Sequence, residues 1–292
     1  MSAKDWGRLL MLSLLWGGSF FFVAIALRGL PVLSVVWGRV ALGACFLAIA
    51  LAISGTAFPR GRVVWLTLIA MGVLNNVVPF TLFAFARGRI TGSMAAILSA
   101  TTPLWGVVLA HVFTRDEKIT SAKATGLSAG FAGVVVMMGG IAPGDVWASL
   151  ACLLAAFSYG FASVWGRRFR KLAVTPLATA FGQVAASTVL LTPVWLWQDH
   201  PWALPYPGAE VLAAVAGIAA LSTALAYLIY FRLLASAGAS NLLLVTFLIP
   251  VSATGLGVAF LGDAISMRQI AGFALIAAGL AAIDGRVFGR KR

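Results

Sequence analysis

The sequence predicts an all-α integral membrane protein, with ten transmembrane helices arranged as two inverted five-helix repeats. Three observations predict it. The 292-residue chain is 61% hydrophobic and only 10% charged, with a mean hydropathy of +1.00. A soluble domain carries about a quarter charged residues to cover its surface, and this chain lacks them. Apolar stretches of roughly 20 residues, enough to cross a ~30 Å hydrocarbon core, recur ten times. Finally, the second half repeats the pattern of the first.

The spans fall near residues 8–27, 33–53, 63–86, 91–113, 121–140, 145–166, 174–196, 209–233, 238–261 and 267–285. Lys4 and Arg8 precede the first, and Ala24-Ile25-Ala26 mimics a signal-peptide cleavage site. Leu9 to Leu27 is nevertheless long enough to span and matches a segment in the second half, so it reads as the first membrane helix. Gly29-Leu30-Pro31, Phe58-Pro59-Arg60 and Asp199-His200-Pro201 punctuate the series. Cys45 and Cys152 both lie within apolar runs and read as small packing residues.

The formal net charge is +13. Basic residues scatter between apolar runs, which excludes the continuous basic face of a nucleic-acid-binding protein. With the N-terminus inside, the cytoplasmic segments hold most of the Lys and Arg, and the outside keeps only Arg28, Arg87, Arg89 and Arg268. The positive-inside rule then places both termini in the cytoplasm. Trp6, Trp65, Trp147 and Trp195 sit at span ends, as interfacial anchors do.

Phe80 to Pro103 lies over Tyr227 to Pro250 without a gap. In that register Asn75 and Asn76 meet Ser222 and Thr223, Phe83 meets Tyr230, and Asp116 meets Asp263. Beyond one deletion, Gly126 and Gly133 meet Gly272 and Gly279. Earlier, Trp16 falls opposite Phe157, and Trp37-Gly38-Arg39 lies over Phe181-Gly182-Gln183. The repeats are expected at 1–140 and 141–292. Five spans per half force the second half to enter the membrane upside down. Inverted repeats of this kind recur in secondary transporters, with the site at the midplane between the halves.

Candidate solute-handling residues follow the helices. Helix one offers Trp16 and Ser19. In helix two, Arg39 is the one charged residue clearly within a span. A charge there costs about 2.5 kcal/mol or more, so it either snorkels to the outer headgroups or serves a carboxylate or gate contact. Helix three carries Asn75, Asn76, Pro79 and Phe80, the amides serving either helix association or a zwitterionic ligand. Helix four carries Ser99, Thr101, Thr102, Pro103 and Trp105, and helix nine Thr246, Pro250, Ser252 and Thr254. A mid-helix proline frees a carbonyl and bends the helix; nearby hydroxyls or a water-filled cavity must then satisfy it. Tyr159, Gln183 and Tyr227 complete the set, with Trp16 and Trp105 the strongest cavity-wall candidates. Gly126 and Gly130 mark a close packing face in helix five, with Gly272 and Gly279 in helix ten, within the chain or between subunits.

No Asp or Glu lies mid-membrane, which argues against a carboxylate proton relay. His111 lies at the inner end of helix four and His200 in an outer loop. There is no P-loop, and neither a Ser–His pair nor paired buried Asp residues for intramembrane catalysis. No cofactor or metal is expected; the partners are a small-molecule substrate and the bilayer.

Ten spans, the five-plus-five repeat, Leu15-Trp16-Gly17, Thr102-Pro103 and Ile249-Pro250 together resemble the drug/metabolite transporter superfamily. More narrowly, the chain is similar to its EamA-domain branch. Leu233 to Gly262, with Gly238-Ala239-Ser240-Asn241, resembles the second repeat of that branch, and the Asp263 to Gly279 run continues it. The resemblance covers essentially the whole chain. It implies a Trp- and Tyr-lined central cavity, no hydrolysed nucleotide, and export of metabolites, as by YddG-type exporters of aromatic and other neutral amino acids. A drug or other metabolite is the alternative cargo.

Overall fold

The structure, a computed structural model, describes residues 1–86, 89–90, 92–139, 145–261 and 265–284. Those residues are helical almost throughout. The expected 140/141 boundary, Arg87 and Asp263 lie outside them.

α1 (Ala3–Ala26) starts with a capping box: Ser2 Oγ accepts from the Asp5 amide at 3.1 Å, while the Asp5 carboxylate accepts from the Ser2 amide. Two amides that a helix start leaves open are thereby satisfied. α2 spans Val32–Ser54. α3 (Arg62–Gly72) passes through a π-helical turn, Val73–Val77, into α4 (Val78–Ala86). Pro79 has no amide to offer the Asn75 carbonyl, and the Val78 amide reaches back to Val73 instead. α5 (Gly92–Ser99) and α6 (Thr102–Phe113) flank a break, and α7 spans Ser121–Met138.

The second half runs α8 (Val146–Gly166), α9 (Arg168–Lys171) and α10 (Pro176–Asp199). α11 (Ala209–Gly217) enters a second π-helical segment, Ile218–Leu225, and leaves as α12 (Ala226–Ala237). α13 (Ala239–Leu242), α14 (Val245–Leu261) and α15 (Met267–Asp284) follow. The second π segment contains Ser222 and Thr223, the residues that the repeat register lays over Asn75 and Asn76 of the first.

Eight stretches among the described residues are long and apolar enough to cross a membrane. Two shorter apolar helical stretches, Ile97–Phe113 and Met267–Ile283, fall where the fourth and tenth spans are expected.

The prolines behave differently from each other. Pro103 is not mid-helix: the chain breaks before it, and Pro103 occupies the first turn of α6, where a missing amide costs nothing. The Leu98 and Ser99 carbonyls accept from the Thr101 and Thr102 hydroxyls, both at 2.6 Å. Pro250 does lie inside α14, and helix nine breaks earlier, at 243–244.

Partner choice follows the repeat register. α1 packs on α14, α11 and α12; α8 packs on α6 and α4. α2 packs on α10, and α7 on α15. These last pairs are register equivalents, and they cross antiparallel. Gly126 meets Gly279, whereas Gly133 meets Gly272. Likewise Ser34 bonds Asp199 and Trp37 bonds Thr192. The helix-five glycines therefore pack within the chain. An added Cβ on Gly126 would lie 2.6 Å from the Gly279 carbonyl oxygen, so the two backbones touch.

Candidate functional site

The two π segments place their polar residues against the second helix of the opposite half. A π turn widens the helix and turns side chains that a regular helix would direct elsewhere, which is why such turns gather at functional sites. Asn75 Nδ2 donates to Gln183 Oε1 at 3.1 Å, and Asn76 Nδ2 to Ser187 Oγ at 2.8 Å. The Tyr227 hydroxyl donates to Asn76 Oδ1. Both amides are buried. Their visible work is to join α3–α4 to α10 and α12, so hydrogen bonding between helices is realised here.

On the other side, Arg39 Nε donates to Thr223 Oγ1 at 2.9 Å and Nη2 to the Ser222 carbonyl at 3.0 Å. Its guanidinium lies 5.1 Å from the Phe80 ring centre. Arg39 thus turns inward rather than snorkelling outward. Trp16 Nε1 donates to the same Ser222 carbonyl at 3.2 Å, and Ser222 Oγ returns a bond to the Leu15 carbonyl. The Trp16 ring meets Tyr227 and Tyr230 at 6.3 and 6.0 Å between centres. Tyr159 stacks along Phe83 and, like Tyr227, lies in the field of the Arg39 charge. The Gln183 amide nitrogen and the Tyr230 hydroxyl are buried without a well-formed hydrogen bond.

Phe231 underlies this cluster, touching Tyr227 and Tyr230. Its other side, with Phe169, lines a cavity of about 1460 Å³. That vestibule is bounded by Trp6, Glu117, Arg167, Lys171 and Thr179 on the face bearing the N-terminus. Phe231 thus touches both the vestibule and the aromatic edge of the polar cluster.

The description "EamA-like transporter family" matches residues 6–139 and again 146–283. The chain belongs to the EamA-like transporter family. It is similar to the uncharacterized inner membrane transporter YedA of Escherichia coli, 26% identical and covering 89% of this chain and 84% of that one. It is similar to a probable terminal-alkyne amino-acid exporter of Streptantibioticus cattleyicolor, 26% identical over 95% and 92% of the two chains. The uncharacterized transporter YoaV of Bacillus subtilis is 22% identical over 93% and 94%. A solved crystal structure shares the fold, with a TM-score of 0.83 at 20% identity, covering 97% of this chain and 99% of that one. The chain is a multi-pass membrane transporter.

Within this EamA-like chain the expected site residues divide. Trp16, Arg39, Asn75, Asn76, Phe80, Tyr159, Gln183 and Tyr227 come together. Trp105 does not. Because α6 restarts at Thr102, its buried face runs through Thr102, Pro103, Gly106, Val107 and Ala110. Trp105 falls on the opposite face, exposed beside Phe157 at 5.5 Å. Ser19, Thr102 and Thr246 spend their hydroxyls on carbonyls of their own segments, those of Trp16, Ser99 and Leu243. The Ser99 carbonyl serves the α5–α6 break. Pro79 accompanies the first π turn. Near Pro250, Gly17 of α1 comes so close that an added Cβ would stand 3.2 Å from the Ile249 carbonyl. Ser13 and Ser252 hydroxyls meet there at 2.8 Å.

His111 is exposed, its Nδ1 accepting from the Ile119 amide at 3.1 Å, a structural bond that fixes the following loop. Sequence reasoning passed over Ser187, and it gave Tyr230 no place among the lining residues. The repeat register was the signal available for Tyr230, since it pairs with Phe83.

Proposed function

We propose that this transporter exports neutral and aromatic amino acids by alternating access across the bacterial inner membrane, down the substrate gradient, with both termini cytoplasmic. The observation that carries the reading is the uncharged-but-for-Arg39 polar and aromatic cluster where the two π segments meet α2 and α10. Ten spans in two inverted repeats, divided near residue 140, supply the exchange of states. Equivalent helices that cross antiparallel, and partner choices that interchange between halves, support that arrangement. The amino-acid exporter among the relatives supports the cargo class.

Energy coupling follows from chemistry. Among the described residues, acidic side chains sit at helix ends and loops, where Asp145 and Asp199 cap helices or bond neighbours. A proton-coupled carboxylate relay needs such a group in the membrane interior. Purified protein in liposomes is expected to exchange labelled phenylalanine without a pH difference. Exchange that disappears when the proton gradient is collapsed would overturn this mechanism.

Trp16→Ala removes a cluster wall and its bond to Ser222, so exchange should fall at least about tenfold. Trp105→Ala and Trp65→Ala should stay within about twofold, since both rings lie outside the cluster. Equal losses in the three variants would show that the site lies elsewhere.

A further inference from the structure

The central cluster holds one full charge, that of Arg39, which has no counter-ion among the described residues. Arg39 bonds two neutral acceptors, which occupies two of its five N–H groups. Among the described residues no carboxylate lies within ion-pair distance of it. Five carboxylates pair elsewhere: Asp5 with Arg8, Glu210 with Arg28, Asp145 with Arg89, and Asp116 and Glu117 with Arg167. Asp199 accepts from Ser34. A half-buried guanidinium left without an anion is held at an energetic cost, which a bound anion would offset.

Two further groups point the same way. Gln183 Nε2 can only donate, and it is fully buried without a well-formed hydrogen bond, the Tyr227 hydroxyl being the acceptor beside it. The Tyr230 hydroxyl, 3% exposed, also lacks a partner. Polar groups in such surroundings are almost always satisfied, and an orphan calls for an unbound ligand or water. Both belong to the connected set that includes Arg39. Arg39 and Trp16 share the Ser222 carbonyl, Trp16 packs on Tyr230, and the Tyr227 hydroxyl reaches Asn76 beside the Asn75–Gln183 pair. The repeat register sharpens the point. It lays Arg39 over Gln183, so a symmetric scaffold carries a charged donor on one side and a neutral one on the other.

Among the described residues of the cluster no carboxylate is present to pair with a substrate ammonium, whereas an aromatic body finds walls in Trp16, Tyr227 and Tyr230. We infer that the substrate's carboxylate, held by Arg39, is the indispensable recognition element and that its amino group is dispensable. The transporter therefore also takes aromatic 2-hydroxy and related monocarboxylates that lack an ammonium. This inference rests on the same site as the exporter reading and adds a substrate class to it.

The test uses the full chain in proteoliposomes at neutral pH, with exchange of labelled phenylalanine as the signal. The competitors are 3-phenyllactate, which keeps the carboxylate and lacks the ammonium, and phenylalaninamide, which keeps the ammonium and lacks the carboxylate. Phenyllactate should compete about as well as unlabelled phenylalanine, and the amide at least about tenfold more weakly. Arg39→Gln should abolish that preference, and Arg39→Lys should keep part of it because the charge remains. Equal competition by amide and phenylalanine overturns the inference while leaving the exporter reading standing.

Absence of any phenylalanine exchange would overturn the exporter reading instead. The inference is then decided by thermal stabilisation of the detergent-solubilised protein. A stabilising shift with phenyllactate and none with the amide upholds it; no shift with phenyllactate, or equal shifts, overturns it. The melting profile of Arg39→Gln without ligand separates a folding defect from lost recognition. If that variant is unfolded, the wild-type competition and stabilisation series still decides the question.

Discussion

A Gly279→Val chain should lose at least about 2 kcal/mol of stability and most of its folded yield. A Cβ at Gly279 would stand 2.5 Å from the Gly126 carbonyl oxygen and 2.7 Å from the Gly130 amide nitrogen. Both obstacles are backbone, so no side-chain rotation relieves them, and α15 would have to lift off α7. In lipid, where helices associate through packing rather than through a hydrophobic drive, such close approach is the main source of attraction. The matching control is Gly255→Ala, because nothing lies within 4 Å of a Cβ there. Melting of purified protein in detergent measures both, and a Gly279→Val chain as stable as the control would show that α7 and α15 do not pack this way.

Glu117→Ala should destabilise the closure on the face bearing the N-terminus by about 2 kcal/mol. Glu117 joins three elements. Its carboxylate accepts from the Ala239 and Ser240 amides at 2.9 and 2.8 Å and pairs with Arg167 at 3.2 Å. Gly238 makes this possible: its φ is +85°, and a side chain there would strike the Glu117 carboxylate. The loop after α6, the end of α8 and the turn between α12 and α13 are thereby tied above the vestibule. Alternating access requires that ties on one face break when that face opens.

With Cys45 and Cys152 replaced by alanine, a cysteine introduced by Phe231→Cys should react faster with a soluble thiol reagent once Glu117→Ala is added. Unchanged reactivity and unchanged melting would refute the latch. Its Asp116 arm should not respond to pH near neutrality. The Arg167 hydrogen bond holds the Asp116 carboxyl below its ordinary value of 3.8. Its contribution is therefore complete above that value and fades only as the pH falls below it.

Much of this was legible in the residues. Apolar runs of membrane length, the basic-residue bias and the two-fold register need only composition and spacing. The register also paired Asn75 and Asn76 with Ser222 and Thr223, which the structure places in the two π segments. Arg39 stood out for an energetic reason that needs no coordinates. Trp105 misled, because periodicity was carried through Thr101 and Thr102 as if helix four were continuous. The break before Pro103 resets the angular phase and sends the ring to the other side. Thr102, Thr246 and Ser19 misled for another reason. A hydroxyl in an apolar helix has a carbonyl of its own segment within reach, and sequence does not reveal whether that carbonyl or a ligand takes it.

The sequence by itself determined that the chain is helical and membrane-embedded, because hydropathy is a property of single residues and their spacing. Only the tertiary structure decided that Arg39 faces the Ser222–Thr223 turn, that Gln183 and Tyr230 are left without a well-formed hydrogen bond, and that Glu117 fastens one face. Those outcomes depend on which helices touch and at what rotation, and a side chain's partner is fixed by the helix opposite rather than by its own neighbours in the chain.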